Sequence, residues 1–287
     1  MKAGLFPGQG IPASTVLESL PKDHALVASA SEQLGYDLFK RVEVAARRKG
    51  AAMPTAVAQP AIFVASLISF SHKPGRWDFF CGHSLGEYSA LAAAGALGFE
   101  AALNIVRVRA EGMERAGRMA EGTMAAVLGL DLEQVSAIAT RSGATVANDN
   151  SPGQVVLAGS ESALAAAATE IRAAGARSVL LDVTGAFHTD AMSPAAPSLA
   201  RALAEAEIRS PEVPVVANVL ARPYEDAEQI REVLVAQLTR PVRFRESVEW
   251  LLEQGVDQFT DFGPGRIVAG LAQKSRRAAR TSEVAHA

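Results

Sequence analysis

Gly82-His83-Ser84-Leu85-Gly86 lies between an apolar run, Trp77-Asp78-Phe79-Phe80-Cys81, and a helix-forming run, Glu87-Tyr88-Ser89-Ala90-Leu91-Ala92-Ala93-Ala94. Strand, sharp turn and helix in that order make a nucleophile elbow. A serine on such a turn has its hydroxyl exposed, and flanking glycines let the backbone fold without a clash. Ser84 is the candidate nucleophile. The same residues also spell a capping box, in which Ser84 and Glu87 only satisfy free N–H groups of the new helix. The pentapeptide alone leaves both readings open.

A serine hydroxyl is a weak nucleophile until a base takes its proton, and histidine is the usual base near neutral pH. Of five histidines, His24, His72 and His286 fall in surface-like or terminal segments, and His83 is expected to point away from its neighbour Ser84. His188, in the turn Gly185-Ala186-Phe187-His188-Thr189, is the candidate base, with a solvated loop histidine as the alternative. No acid has a distinctive setting among Asp182, Asp190, Asp257 and Asp261, but a backbone carbonyl can orient the base instead. For an oxyanion hole, the Leu85 N–H at the start of the elbow helix is one natural donor, and the turn Gly8-Gln9-Gly10 could supply another.

Several elements must position these groups. Lys2 to Phe6 reads as a buried strand ending at Pro7-Gly8-Gln9-Gly10, helical periodicity runs to Ala46, and Gln59 to His72 reads as a buried helix. Phe99 to Ala116 is a helix with Leu103, Val106 and Met113 on its apolar face. The texture changes near Gly122: strand Thr123 to Leu130, helix Leu132 to Thr140, strands Ala144 to Ala147 and Gln154 to Ala158 around a turn Asn148–Gly153, an alanine-rich helix, and strand Ser178 to Val183. That β-α-β-β-α-β order predicts a ferredoxin-like insert over 122–186, carried on an α/β body formed by 1–121 and 187–287. The body resumes with a helix from Met192 to Ala206, a strand Val213 to Ala217, helices flanking Arg240-Pro241, a strand Gln258 to Phe262 and a last helix after Gly263-Pro264-Gly265.

With 287 residues, 49% hydrophobic and 21% charged, the chain can bury a large core. A net charge of −3 gives no electrostatic footprint for nucleic acid. The single cysteine, Cys81, excludes an intramolecular disulfide and reads as inert core. The N-terminus breaks into Pro and Gly too early for a secretory signal, and the longest apolar run is too short to span a bilayer, so a cytoplasmic setting with no membrane partner is expected.

Taken together, Phe6-Pro7-Gly8-Gln9-Gly10, Gly82-His83-Ser84-Leu85-Gly86-Glu87-Tyr88-Ser89-Ala90, Asn148-Asp149-Asn150-Ser151-Pro152-Gly153-Gln154-Val155-Val156 and Gly263-Pro264-Gly265 resemble the malonyl-CoA:acyl-carrier-protein transacylases, in order along nearly the whole chain. The resemblance implies an α/β-hydrolase-like body with a parallel sheet, a ferredoxin-like insert and a ping-pong reaction. Ser84 would attack the malonyl-CoA thioester, His188 would accept its proton, and the N–H groups of Gln9 and Leu85 would hold the oxyanion. The phosphopantetheine thiol of an acyl carrier protein would then take the malonyl group. Gln237 matches the position whose backbone carbonyl orients the histidine, and Arg109 matches the arginine that clamps the malonyl carboxylate. Met113, Phe187 and Asn150 fall at matching substrate-binding positions; neither a bound cofactor nor a metal is implied.

Leu85 and Phe187 resemble the pattern of polyketide acyltransferases that take malonyl rather than methylmalonyl units, and Gly185-Ala186-Phe187-His188 is similar to stand-alone members, whereas Gly10-Ile11-Pro12 departs from the polar residues usual in fatty-acid enzymes. A thioester hydrolase that clears carrier proteins, a transferase for another acyl unit and a non-catalytic docking module are the competing readings. An acidic carrier would need a basic face, for which Lys274, Arg276, Arg277 and Arg280, or Arg47, Arg48 and Lys49, are the candidate sets.

Overall fold

The computed structural model describes residues 1–48 and 52–285, with side chains through residue 281. Its strands are β1 (Lys2–Phe6), β2 (Phe79–Gly82), β3 (Thr123–Leu128), β4 (Thr145–Ser151), β5 (Gln154–Gly159), β6 (Arg177–Leu180), β7 (Val215–Val216), β8 (Val242–Arg243) and β9 (Gln258–Asp261). They form two sheets. The first is parallel, in the order β7-β2-β1-β9, with Ala3 to Phe6 opposite Phe79 to Gly82. A parallel sheet covered on both faces needs continuous apolar strands, and β1 is buried along all but its first residue. Helix Gly86–Ala93 packs directly on β1 and β2, and helix Thr55–Ser71 reaches the same sheet through Phe70, which lies against Phe6 and Phe80. Helix Phe99–Met119 packs against Thr55–Ser71, which is buried around most of its circumference, as its largely apolar sequence requires.

The second sheet has the order β6-β3-β5-β4-β8. Its first four strands are antiparallel neighbours, backed by helices Leu132–Ser142 and Glu161–Ala173 through a separate apolar core of Val127, Val135, Leu157, Leu164 and Ile171 among others. Helix Leu132–Ser142 starts with a complete capping box, Asp131 with Gln134. The fifth strand, β8, comes from far along the chain and pairs in parallel with β4, Asn148 opposite Val242. Nothing in the alternating texture of 122–186 announces that addition.

Several expected boundaries move. The polar run Asn148 to Gly153 is not all turn: β4 continues to Ser151, leaving Pro152-Gly153 as the reversal. Asn148, Asp149, Asn150 and Ser151 are all buried, two of them with side-chain partners inside the molecule, and that overrides their poor strand propensity. The strand expected at Ser178 to Val183 lies at Arg177–Leu180. The helix expected from Met192 opens as a 3₁₀ turn, Asp190–Ala195, containing Pro194, and becomes α-helical over Ala196–Glu205. The strand expected over Val213 to Ala217 contracts to Val215–Val216. Among the described residues no helix is long and apolar enough to cross a membrane.

Candidate active site

The elbow is built by close backbone packing. A Cβ on Gly82 would lie 2.0 Å from the Gly86 carbonyl carbon, and one on Gly86 would lie 2.0 Å from the Phe6 carbonyl oxygen at the end of β1. Only glycine permits this approach. Between them Ser84 adopts φ 51°, the left-handed conformation of a nucleophile elbow, and its Oγ lies 2.8 Å from His188 Nε2. The capping-box reading fails here. Leu85 takes the N-cap place without a side-chain cap, and the Glu87 carboxylate faces the interior.

His188, itself at φ 61°, is buried, with Nδ1 2.9 Å from the Gln237 carbonyl oxygen. A carbonyl only accepts, so Nδ1 carries the hydrogen and Nε2 presents its lone pair to Ser84. Burial, reinforced by the nearby Arg109 charge, pushes His188 down to about 3 and keeps the ring neutral near pH 7. Among the described residues none of the four aspartates weighed as triad acids hydrogen-bonds to His188: Asp257 pairs with the N-terminus, Asp261 caps the turn at Gly263, and Asp182 only lines the cavity described below.

Arg109 reaches the same point from the helix Phe99–Met119. It is fully buried; NH1 donates to Gln59 Oε1 at 2.8 Å, and NH2 donates to Gln237 Oε1 at 2.9 Å and Ser84 Oγ at 3.0 Å. Its guanidinium carbon lies 5.2 Å from the Tyr88 ring centroid, and among the described residues no carboxylate forms an ion pair with it. A buried cation without an ion-pair partner can receive an anion.

A cavity of about 610 Å³ opens over Ser84 and His188. Gln9, Met113 and Phe187 line it, as does Ile11, one of the residues where the first motif departs from the family pattern. Asn150 stands behind the wall instead: its Oδ1 accepts from His83 Nε2 at 2.7 Å, while Asn148 from the same strand lines the cavity. His83 lines it too, with its ring bonded to Asn150 and beside Phe244. Gln9 is fixed by a bond from its Nε2 to Thr55 Oγ1 at 3.1 Å, and among the described residues no hydrogen bond engages the Gln9 or Leu85 backbone N–H. Cys81 is buried beneath, its thiol pushed up by burial, as an inert core residue should be.

Three residues to which the sequence assigned no part in the chemistry surround the pair. Asn218, just beyond β7, accepts the Ser84 N–H at 2.7 Å through Oδ1 and donates from Nδ2 to the Gly82 carbonyl at 2.6 Å, bridging both arms of the elbow. Glu87 accepts from the Asn218 N–H at 3.2 Å, from the Tyr224 hydroxyl and from Gln237 Nε2. Gln59 was read only as helix. The available signal for Asn218 was its place at the carboxyl end of a parallel strand, where α/β sheets put functional groups.

Of the two basic sets, Arg48 lines the cavity rim, Arg47 pairs with Glu43 at 3.0 Å, and Lys49 lies outside the described residues. Lys274 donates to Gln154 at 2.8 Å, tying helix Ile267–Ala285 to β5, while Arg277 and Arg280 are exposed.

Residues 7–286 match the model of the acyl transferase domain family. The chain is 39% identical to the malonyl CoA-acyl carrier protein transacylase of Bacillus subtilis, covering 98% of this chain and 92% of that protein, and 38% identical to that of Salmonella typhimurium, covering 95% and 92%. It is also 38% identical to the polyketide biosynthesis protein ThaF of Burkholderia thailandensis, covering 96% of this chain but 24% of that protein. Among solved structures, the malonyl CoA-acyl carrier protein transacylase of Coxiella burnetii superposes with a TM-score of 0.88 at 34% identity, covering 96% of this chain and 91% of that one. A malonyl-transacylase in complex with its type II polyketide acyl-carrier protein gives 0.86 at 36% identity, covering 96% and 92%. With its elbow, its buried arginine and these relatives, the chain belongs to the acyl transferase domain family.

Proposed function

We propose that this protein moves a malonyl group from malonyl-CoA to the phosphopantetheine thiol of an acyl carrier protein, for fatty acid or polyketide synthesis. The observation that carries the reading is Arg109, a fully buried guanidinium whose NH2 donates to the Ser84 hydroxyl at 3.0 Å. An uncharged acyl chain gives such a group nothing to bind, whereas the free carboxylate of a malonyl unit completes it. The relatives named for this reaction, one held in complex with its carrier, support the same reading.

In the first half-reaction Ser84 Oγ attacks the thioester carbonyl as His188 Nε2 takes its proton. The N–H groups of Gln9 and Leu85 hold the oxyanion, and collapse expels the CoA sulfur, which receives the proton from His188. The Gln237 carbonyl keeps His188 in the required tautomer throughout. In the second half-reaction the carrier thiol gives its proton to His188 and attacks the malonyl-serine ester, and Ser84 is reprotonated as it leaves. Met113 and Phe187 shape the acyl end of the cavity, and Phe187 crowds the α-carbon against a branch; Asn150 acts on substrate only through His83. No bound cofactor enters any step.

The division into a catalytic body (1–121 and 187–287) and a ferredoxin-like insert (122–186) belongs to this reading, supported by the antiparallel order β6-β3-β5-β4. A cytoplasmic setting fits substrates of this kind. Intact mass after mixing with malonyl-, methylmalonyl- and acetyl-CoA, then with phosphopantetheinylated carrier, tests the whole. A malonyl adduct that moves to the carrier is expected, and Ser84→Ala should abolish it. An adduct lost to water equally fast with or without carrier would mean a hydrolase.

A further inference from the structure

Glu87 stands in the first turn of the elbow helix, fully buried, with no cation in direct contact among the described residues. An ionised carboxylate in such a place needs strong compensation. The charged group it communicates with is Arg109, and the link is the Gln237 side-chain amide: Arg109 NH2 donates to Oε1 at 2.9 Å, while Nε2 of the same amide donates to Glu87 Oε2. Cation, amide dipole and anion are aligned head to tail, so each bond polarises the next. Gln237 Nε2 also donates to the Ser84 carbonyl at 3.0 Å, and the Gln237 backbone carbonyl holds His188. Through Oε1 the same carboxylate accepts from the Asn218 N–H, and Asn218 in turn grips Ser84 N–H and Gly82 C=O.

We propose that Glu87 is a positioning residue that sets the nucleophile, the base and the carboxylate-binding arginine in one register, and that it must be ionised to do so. The proposal rests on the acyl-transfer reading above. One oxygen serves the base and the arginine through Gln237; the other serves the nucleophile through Asn218. An ionised carboxylate accepts at both oxygens, whereas a protonated one must donate at one of them. Either the Gln237 amide or the Asn218–Tyr224 side then loses its acceptor.

The groups facing Glu87 are Arg109 and the Tyr224 hydroxyl, Tyr88 beside it on the same helix, and Cys81 at the end of β2. Burial pushes Glu87 up to about 7, and the bonds from Tyr224, Gln237 and Asn218, with the Arg109 charge, oppose that rise. His188 is neutral far below this range. A rise in acylation rate through about pH 7 therefore belongs to Glu87 and not to the histidine base.

The test is single-turnover acylation of the full chain by malonyl-CoA between pH 5 and 9, read by intact mass, for the wild type, Glu87→Gln and Tyr224→Phe. The wild-type rate is expected to rise through about pH 7. Glu87→Gln should lose that rise and fall at least about tenfold at the alkaline plateau, since one charge-assisted bond network is broken. Tyr224→Phe, which deletes one hydroxyl and leaves the catalytic pair intact, should move the rise to higher pH. A rise of unchanged midpoint in Glu87→Gln, or in Tyr224→Phe should Glu87→Gln not fold, overturns the proposal. Absence of any acyl-enzyme in the wild type would instead overturn the acyl-transfer reading.

Discussion

Arg109→Ala separates the binding of a carboxylate from the rest of the chemistry. A guanidinium has five N–H donors, and three are engaged here, by Gln59, Gln237 and Ser84. Two remain, the Nε–H among them. A malonyl carboxylate that displaces the Ser84 hydroxyl from NH2 and takes the neighbouring donor as well makes two charge-assisted bonds at roughly 1.5–3 kcal/mol each, and gains about 3–6 kcal/mol over an acetyl group at the same serine. Truncation to alanine also orphans the Gln59 and Gln237 oxygens, but that cost falls on both acyl donors alike. The quantity to read is therefore the ratio of kcat/KM for malonyl-CoA to that for acetyl-CoA, each followed by acyl transfer to carrier protein. It should fall roughly 100- to 25,000-fold in Arg109→Ala, with circular dichroism checking that the fold persists. A ratio within about threefold of the wild type would refute the assignment, because a carboxylate buried elsewhere would have to be held by another cation.

Asn218→Ala should lower kcat by about 10- to 100-fold with little change in KM, because both elbow bonds it makes act on the backbone of the nucleophile and neither reaches substrate; steady-state kinetics at saturating malonyl-CoA checks this. Asp149 offers a pH prediction. Burial raises its carboxyl to about 6 despite the Arg245 guanidinium at 2.9 Å, and its Oδ1 has no partner. A folded-state value above the unfolded one means that the folded chain holds this proton more tightly. Stability from this group is then present below about pH 4 and lost as pH rises through about 6, by on the order of 2 kcal/mol. Thermal melts from pH 4 to 7 should show that decline in the wild type and a shallower one in Asp149→Asn.

The elbow could be read from sequence because each of its requirements is local: an apolar strand, two glycines that admit close backbone contact, and a helix immediately after. Ser84 and His188 were candidates with a helix cap and a solvated loop histidine as their alternatives, and the family resemblance chose between them. What could not be read was the second layer. Glu87, Asn218, Tyr224 and Gln237 meet across separations of 131, 137 and 150 residues, and no local pattern records such contacts. Glu87 was visible only as half of a capping box, since spacing does not reveal whether a first-turn carboxylate turns outward or inward. The run Asn148 to Ser151 looked like a turn for the opposite reason. Its composition is that of exposed loops, and only the inward partners of Asp149 and Asn150 explain why it is a buried strand. The parallel pairing of β4 with β8 was invisible because two residues of Val242–Arg243 carry too little periodicity to announce a strand.

Both halves of the proposed reacting pair, Ser84 and His188, sit on left-handed backbone, at φ 51° and 61°. Such a conformation costs a non-glycine residue of order 1–2 kcal/mol, so the two positions that make the protein useful are also two at which it is ill at ease. Glycine at Ser84 would relieve that tension and, on the proposed mechanism, abolish turnover, whereas at His188 it would also remove a buried ring bonded to the Gln237 carbonyl and cost more than it relieves. A Ser84→Gly copy is then expected to outlast the active chain on heating, and a screen that rewards thermal endurance alone will drift toward it.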